Sequence, residues 1–112
     1  WLTVSKCGLR KADAVALANR LPVLGLTHLN LSENKIGMIG AKALANSPGL
    51  ATVVSLDLRG NPILKSGRAA LAASPHKSAL TEINLGGEQV DKDEAKELRK
   101  QFGKGVKVTM WA

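Results

Sequence analysis

The side chains that could carry chemistry are few. Two histidines, His28 and His76, one cysteine, Cys7, and a scatter of carboxylates make up the stock of nucleophiles, bases and metal ligands. A zinc or other transition-metal site needs three or four of them at short, characteristic spacings. No Cys, His or carboxylate cluster in the chain has that spacing. A Ser-His-Asp set can be drawn from Ser55, His28 and Asp57, but no strand–turn–helix nucleophile motif or oxyanion glycine pattern accompanies it. The pair Gly86-Gly87 lacks the surrounding Gly-Lys-Ser/Thr of a phosphate loop. The expectation is therefore of no catalytic residues, no metal and no cofactor. Cys7 has no partner for an internal disulfide and is expected to be a buried structural thiol. That usage suits a reducing compartment, cytoplasmic or organellar.

What would position any functional side chain is a repeat. Residues 26–36 read L-x-x-L-x-L-x-x-N-x-I, with Leu29 and Leu31 alternating with polar residues and Asn34 at the point where the chain must turn. Moving on by 27 residues gives Val53-x-x-Leu56-x-Leu58-x-x-Asn61-x-Ile63, and a further 27 gives Leu80-x-x-Ile83-x-Leu85-x-x-Glu88-x-Val90. Moving back gives a truncated copy through Leu2, Val4, Cys7 and Leu9. A fixed period of this length implies units that each supply one strand and one helix and bury their apolar faces only by stacking. Successive strands then run parallel, linked by helical crossovers. The boundaries expected are 1–25, 26–52, 53–79 and 80–105, with a terminal strand over 106–111, all in one domain of residues 1–112.

Helices are predicted over 11–21, 38–46, 66–73 and 92–102 from apolar residues at helical spacing. Pro22 is expected to stop the first. Asp91 followed by Glu94 has the arrangement of a capping box at the start of the last. Four columns should form the core: Leu29, Leu56 and Ile83; Leu31, Leu58 and Leu85; Leu9, Ile36, Ile63 and Val90; Leu17, Leu44, Leu71 and Leu98. Asn34 and Asn61 should make a hydrogen-bonded ladder that ends at Glu88, which cannot donate when ionised. Val108 and Met110 should take the places of Ile83 and Leu85, 25 residues on, and this loss of register marks a terminal element.

The pattern resembles the leucine-rich repeat family, and the run 40–45, Gly-Ala-Lys-Ala-Leu-Ala, is similar to the helical half of its ribonuclease-inhibitor-like class. The resemblance implies an α/β leucine-rich repeat solenoid of about four repeats, with parallel strands on the concave side and helices on the convex side. Families of this kind are mostly binding scaffolds, and fold alone does not name a partner. The expected function is a non-catalytic protein–protein interaction scaffold, part of a larger protein or assembly. The alternatives are a regulatory module of the GTPase-activating or ubiquitin-ligase-adaptor type, or an RNA- or ribosome-associated basic subunit.

Side chains flanking the core leucines should line the concave face. Those expected to bind a protein partner are His28, Asn30, Ser32, Asp57, Arg59, Glu82 and Asn84, beside Trp1, Thr3, Ser5, Ser55 and Gly86. The net charge of +7 lies wholly in residues 1–80, most of whose Lys and Arg fall on helices and outer loops: Arg10, Lys11, Arg20, Lys42, Lys65, Arg68 and Lys77. A phosphate-tracking groove needs cations and stacking aromatics together, so nucleic acid is not the favoured partner. No apolar run reaches the length of a membrane span, and no signal peptide opens the chain. The first copy starts in mid-repeat, so the chain reads as a piece of a longer array. Its open N-terminal side should expose Leu2, Val4 and Leu9 and offer a second protein-binding surface.

Overall fold

Each Leu-x-Leu motif makes a short strand, and each following Ala/Leu-rich segment a helix. The computed structural model describes residues 1–86 and 90–110. The strands are β1 (Leu2–Thr3), β2 (His28–Asn30), β3 (Ser55–Asp57), β4 (Glu82–Gly86) and β5 (Lys107–Met110). The helices are α1 (Lys11–Leu24), α2 (Gly37–Asn46), α3 (Leu64–Ala72) and α4 (Lys92–Phe102), with a 3-10 helix over Pro48–Thr52. The strands form one sheet in chain order, every neighbouring pair parallel. Leu2, Leu29, Leu56, Ile83 and Val108 stand side by side across it. Met110 lies opposite Gly86 rather than Leu85, because the pairing slips at a bulge between Asn84 and Gly86. The slip is the structural form of the shortened last spacing.

One face of the sheet packs into the core. Leu29, Leu56, Ile83, Leu31, Leu58, Leu85, Ile36, Ile63, Val90, Leu44, Leu71 and Leu98 are all buried, each contributing about 1.5–3 kcal/mol by its removal from water. Leu2, Val4, Leu9 and Leu17 are half-buried against the same cluster, and β1 stands at the edge of the sheet.

Two asparagines tie the turns together. Asn61 Nδ2 donates to Leu31 O at 2.8 Å and Leu58 O at 3.1 Å, and its Oδ1 accepts from Ile36 N–H at 3.2 Å. Asn34 repeats this one unit earlier: Nδ2 donates to Val4 O at 2.7 Å and Leu31 O at 2.9 Å, and Oδ1 accepts from Cys7 N–H at 3.0 Å and Leu9 N–H at 3.1 Å. Each amide thus reaches back into the unit before it. Cys7 stands at the equivalent place in the preceding copy, and its thiol is exposed and turns to Ser5 O at 3.2 Å. The expectation of a buried thiol is corrected on that ground. Glu88, where the ladder was expected to end, lies outside the described residues, as does Trp111 at the end of the expected last strand.

Pro22 does not stop α1, which runs on to Leu24 and ends at Gly25 in the left-handed conformation at φ 58°. A proline inside a helix leaves the carbonyl four residues back without its N–H. Here that carbonyl, Ala18 O, accepts a hydrogen bond from Ser47 Oγ at 2.7 Å. Ser74 makes the equivalent bond to Ala45 O at 2.6 Å, so the serines before Pro48 and Pro75 form a second ladder on the helical side. Because α1 extends to Leu24, Arg20 falls short of its last turn.

The helices approach through small residues. A methyl group on Gly40 would lie 2.9 Å from Ala14 Cβ, and one on Gly67 would lie 3.2 Å from Ala41 Cβ. At the corresponding place between α3 and α4 the pair is Arg68 and Glu94. Arg68 Nε and Nη2 donate to the Glu94 carboxylate at 2.7 and 3.0 Å, and the two side chains are only 4% and 8% exposed. Asp91 caps α4 by accepting from Glu94 N–H at 2.7 Å, while the Glu94 side chain goes to Arg68 instead of completing the capping box.

Leu58→Ala should cost about 2–5 kcal/mol through the cavity it leaves, and Asn61→Ala about 1–3 kcal/mol by stranding buried backbone groups. Asn61→Asp should do no better, since an ionised carboxylate cannot donate to the carbonyls. Arg68→Ala, which leaves a buried carboxylate unpaired, should cost about 3–5 kcal/mol. The double change Arg68→Ala with Glu94→Gly restores the Ala–Gly pair of the other helices and should lose less than the single one. Urea unfolding of each variant measures all five.

Candidate functional site

The pleat that sends the leucines inward sends their neighbours to the other face of the sheet. There Thr3, Asn30, Asp57, Asn84 and Thr109 stand in register across all five strands, and His28, Ser55, Glu82 and Lys107 make a second row. Side chains from every strand line a cleft of about 230 Å³ on this face, with the backbone of Leu29 and Leu56 at its floor and Trp1 at one end. Trp1 stacks on the His28 ring, centroids 3.8 Å apart and planes 13° from parallel, while the indole remains 86% exposed. Such an aromatic pair presents a flat apolar wall beside polar side chains.

The middle row has a structural duty as well. Asn30 Oδ1 accepts from Ser32 N–H at 2.9 Å, Asp57 Oδ1 from Arg59 N–H at 3.1 Å, and Asn84 Oδ1 from Gly86 N–H at 2.9 Å. Each side chain closes the turn two residues on, where the strand ends. The signal was present in the sequence as Asn or Asp two places before a polar or glycine residue at the end of each motif. Asp57 Oδ2 also lies 3.4 Å from Arg59 Nε.

Of the residues expected to bind a partner, His28, Asn30, Asp57, Glu82 and Asn84 come together around the cleft. Arg59 is exposed just beyond the end of β3. Ser32 is corrected: it is 3% exposed and belongs to the turn, its carbonyl accepting from Lys6 N–H and Asn34 Nδ2. The Ser55, His28 and Asp57 set does not assemble into a relay. His28 Nδ1 lies 3.0 Å from Thr27 Oγ1, and both Asp57 oxygens face Arg59.

On the helical side Arg10, Lys11, Arg20, Lys42 and Lys65 are exposed and Lys77 is half-buried. Arg68 is corrected from this group to the interior, where Glu94 neutralises it. Among the described residues no helix is long and apolar enough to cross a membrane, and no group of three or more His, Cys, Asp or Glu is gathered as a metal site.

The family profile described as Leucine Rich repeat matches residues 26–45 and 49–72, the segments that carry Asn34 and Asn61 and the helices after them. No curated protein matches the chain.

Proposed function

The chain is a leucine-rich repeat protein, and from that premise we propose that it is a non-catalytic scaffold that holds another protein against the open face of its sheet. Leucine-rich repeats are commonly protein–protein interaction modules and are generally non-catalytic. In this reading the molecule is one short solenoid domain of about four 27-residue repeats with a terminal strand, helices outside and strands on the concave side.

The observation that carries the reading is the contrast between the two faces of the sheet. The core columns hold little but Leu, Ile and Val. The open face is mixed around one shared cleft: Trp1 on His28, Asp57 and Glu82 stand among the repeated Asn30 and Asn84 and Thr3 and Thr109. A repeated scaffold needs its interior uniform, and recognition needs its exterior individual. Five parallel strands, spaced about 4.8 Å apart, give a partner several strands to rest across.

Charge reversal separates this face from the helical side, since exposed positions leave folding nearly intact. Protein partners selected from a displayed domain library should lose more than about tenfold in affinity, roughly 1.4 kcal/mol, with Glu82→Lys or Arg59→Glu, and keep it with Lys42→Glu or Arg20→Glu. The reverse pattern, measured by surface plasmon resonance, would move the binding site to the helices.

A further inference from the structure

A second surface lies where the turns enter the helices. A recess of about 430 Å³ is lined by Arg10, Lys11, Lys35, Ile36, Gly37, Met38 and Ile39. Its walls are almost wholly apolar, its rim carries three cations, and among the described residues no carboxylate lines it. Ile39 is 49% exposed beside it. The first turn of α3 continues the patch: Ser66 touches Met38, and Gly67 packs against the Met38 backbone. That turn begins with Leu64, 53% exposed, and Lys65.

The repeat supplies its own control for these residues. The places one and two periods from Ile39 hold Ala12, Ser66 and Asp93, so the fold does not ask for a large apolar group there. The places equivalent to Leu64 hold Arg10, Gly37 and Asp91. Gly37 has φ 69°, and Leu64 adopts φ 64° at the same spot. A bulky residue in the left-handed region is strained where glycine is not. Leu64 therefore bears two costs, strain and exposure to water, that the neighbouring unit avoids with Gly37. Retained strain of this kind clusters at binding surfaces.

We propose that this recess and the Leu64 turn bind an acidic, extended segment of a partner protein. One large apolar side chain of the segment enters between Met38 and Ile39, and its carboxylates face Arg10, Lys11 and Lys35. The chemistry is complementary in both respects, apolar to apolar and anion to cation. The accessible apolar groups are Ile39, 49% exposed, and half-buried Met38, with Ile36 fully buried beneath them; vesicles are therefore carried as a separate arm of the test. Among the described residues no aromatic side chain lines the recess to stack a nucleic-acid base. The surface is separate from the open face of the sheet and stands or falls independently of the scaffold reading.

The test uses the whole chain and a labelled synthetic peptide with a central leucine–phenylalanine pair flanked by glutamates, read by fluorescence anisotropy. Its companions are the same peptide with lysines for glutamates, and phosphatidylserine vesicles. The acidic peptide should bind, weaken as salt is raised, and lose about tenfold or more in affinity with either Leu64→Gly or Lys35→Glu; the lysine peptide should not bind. Leu64→Gly should at the same time raise the melting temperature, a combination that a structural role for Leu64 would not give. Absence of acidic-peptide binding, equal binding by all variants, binding of vesicles alone, or a lower melting temperature for Leu64→Gly would each overturn the proposal.

Discussion

A chain that leaves a parallel sheet after three residues must satisfy its backbone groups somewhere other than the sheet. The side-chain amides of Asn34 and Asn61 do this, and the rest of the architecture depends on it. Each offers donors and an acceptor at once, so it bonds carbonyls of its own unit and of the unit before, and amides on the far side of the turn. Buried backbone groups left unpaired are costly, and asparagine is the side chain that can meet both polarities in one place. With the turns held, Leu31 and Leu58 fall into line and the apolar columns close.

The helical side solves a related problem by different means. Where α1 meets α2 and α2 meets α3, alanine faces glycine and the backbones come close. Between α3 and α4 a charged pair fills the same place. Charge is expensive to bury, and this pair meets the cost by two short hydrogen bonds in a fixed geometry. Ser47 and Ser74 complete the side by binding carbonyls of the helix before them, and Ser47 is what lets α1 continue through Pro22.

Much of this was legible in the sequence because it is periodic. The parallel order, the apolar columns, the asparagine ladder and the close match of α4 to its expected bounds all follow from spacing and capping signals. What could not be read was non-periodic or relational. Pro22 reads as a stop until Ser47, brought in from the next unit, rescues Ala18 O. Arg68 reads as one more solvated cation until Glu94 is placed 2.7 Å away. Cys7 reads as buried because its counterparts Asn34 and Asn61 are, yet its thiol is exposed and turns to Ser5 O. On the open face the pattern located His28, Asn30, Asp57, Glu82 and Asn84 together. It placed Ser32 wrongly, since strict alternation ends where β2 ends at Asn30, and it gave no sign that Trp1 would fold over His28.

The most direct measurement of the ladder's role is native-state hydrogen exchange at the amides it binds. Ile36 N–H bonds only a side chain, Asn61 Oδ1, at 3.2 Å, whereas Leu58 N–H bonds the main chain of the next strand at 2.8 Å. If the asparagine amides hold the turns as firmly as the sheet holds its strands, Ile36 should exchange only with global unfolding, at the same rate-limited protection as Leu58. Fast, loop-like exchange at Ile36 while Leu58 stays protected would show that the turns open without the sheet, and would contradict the account.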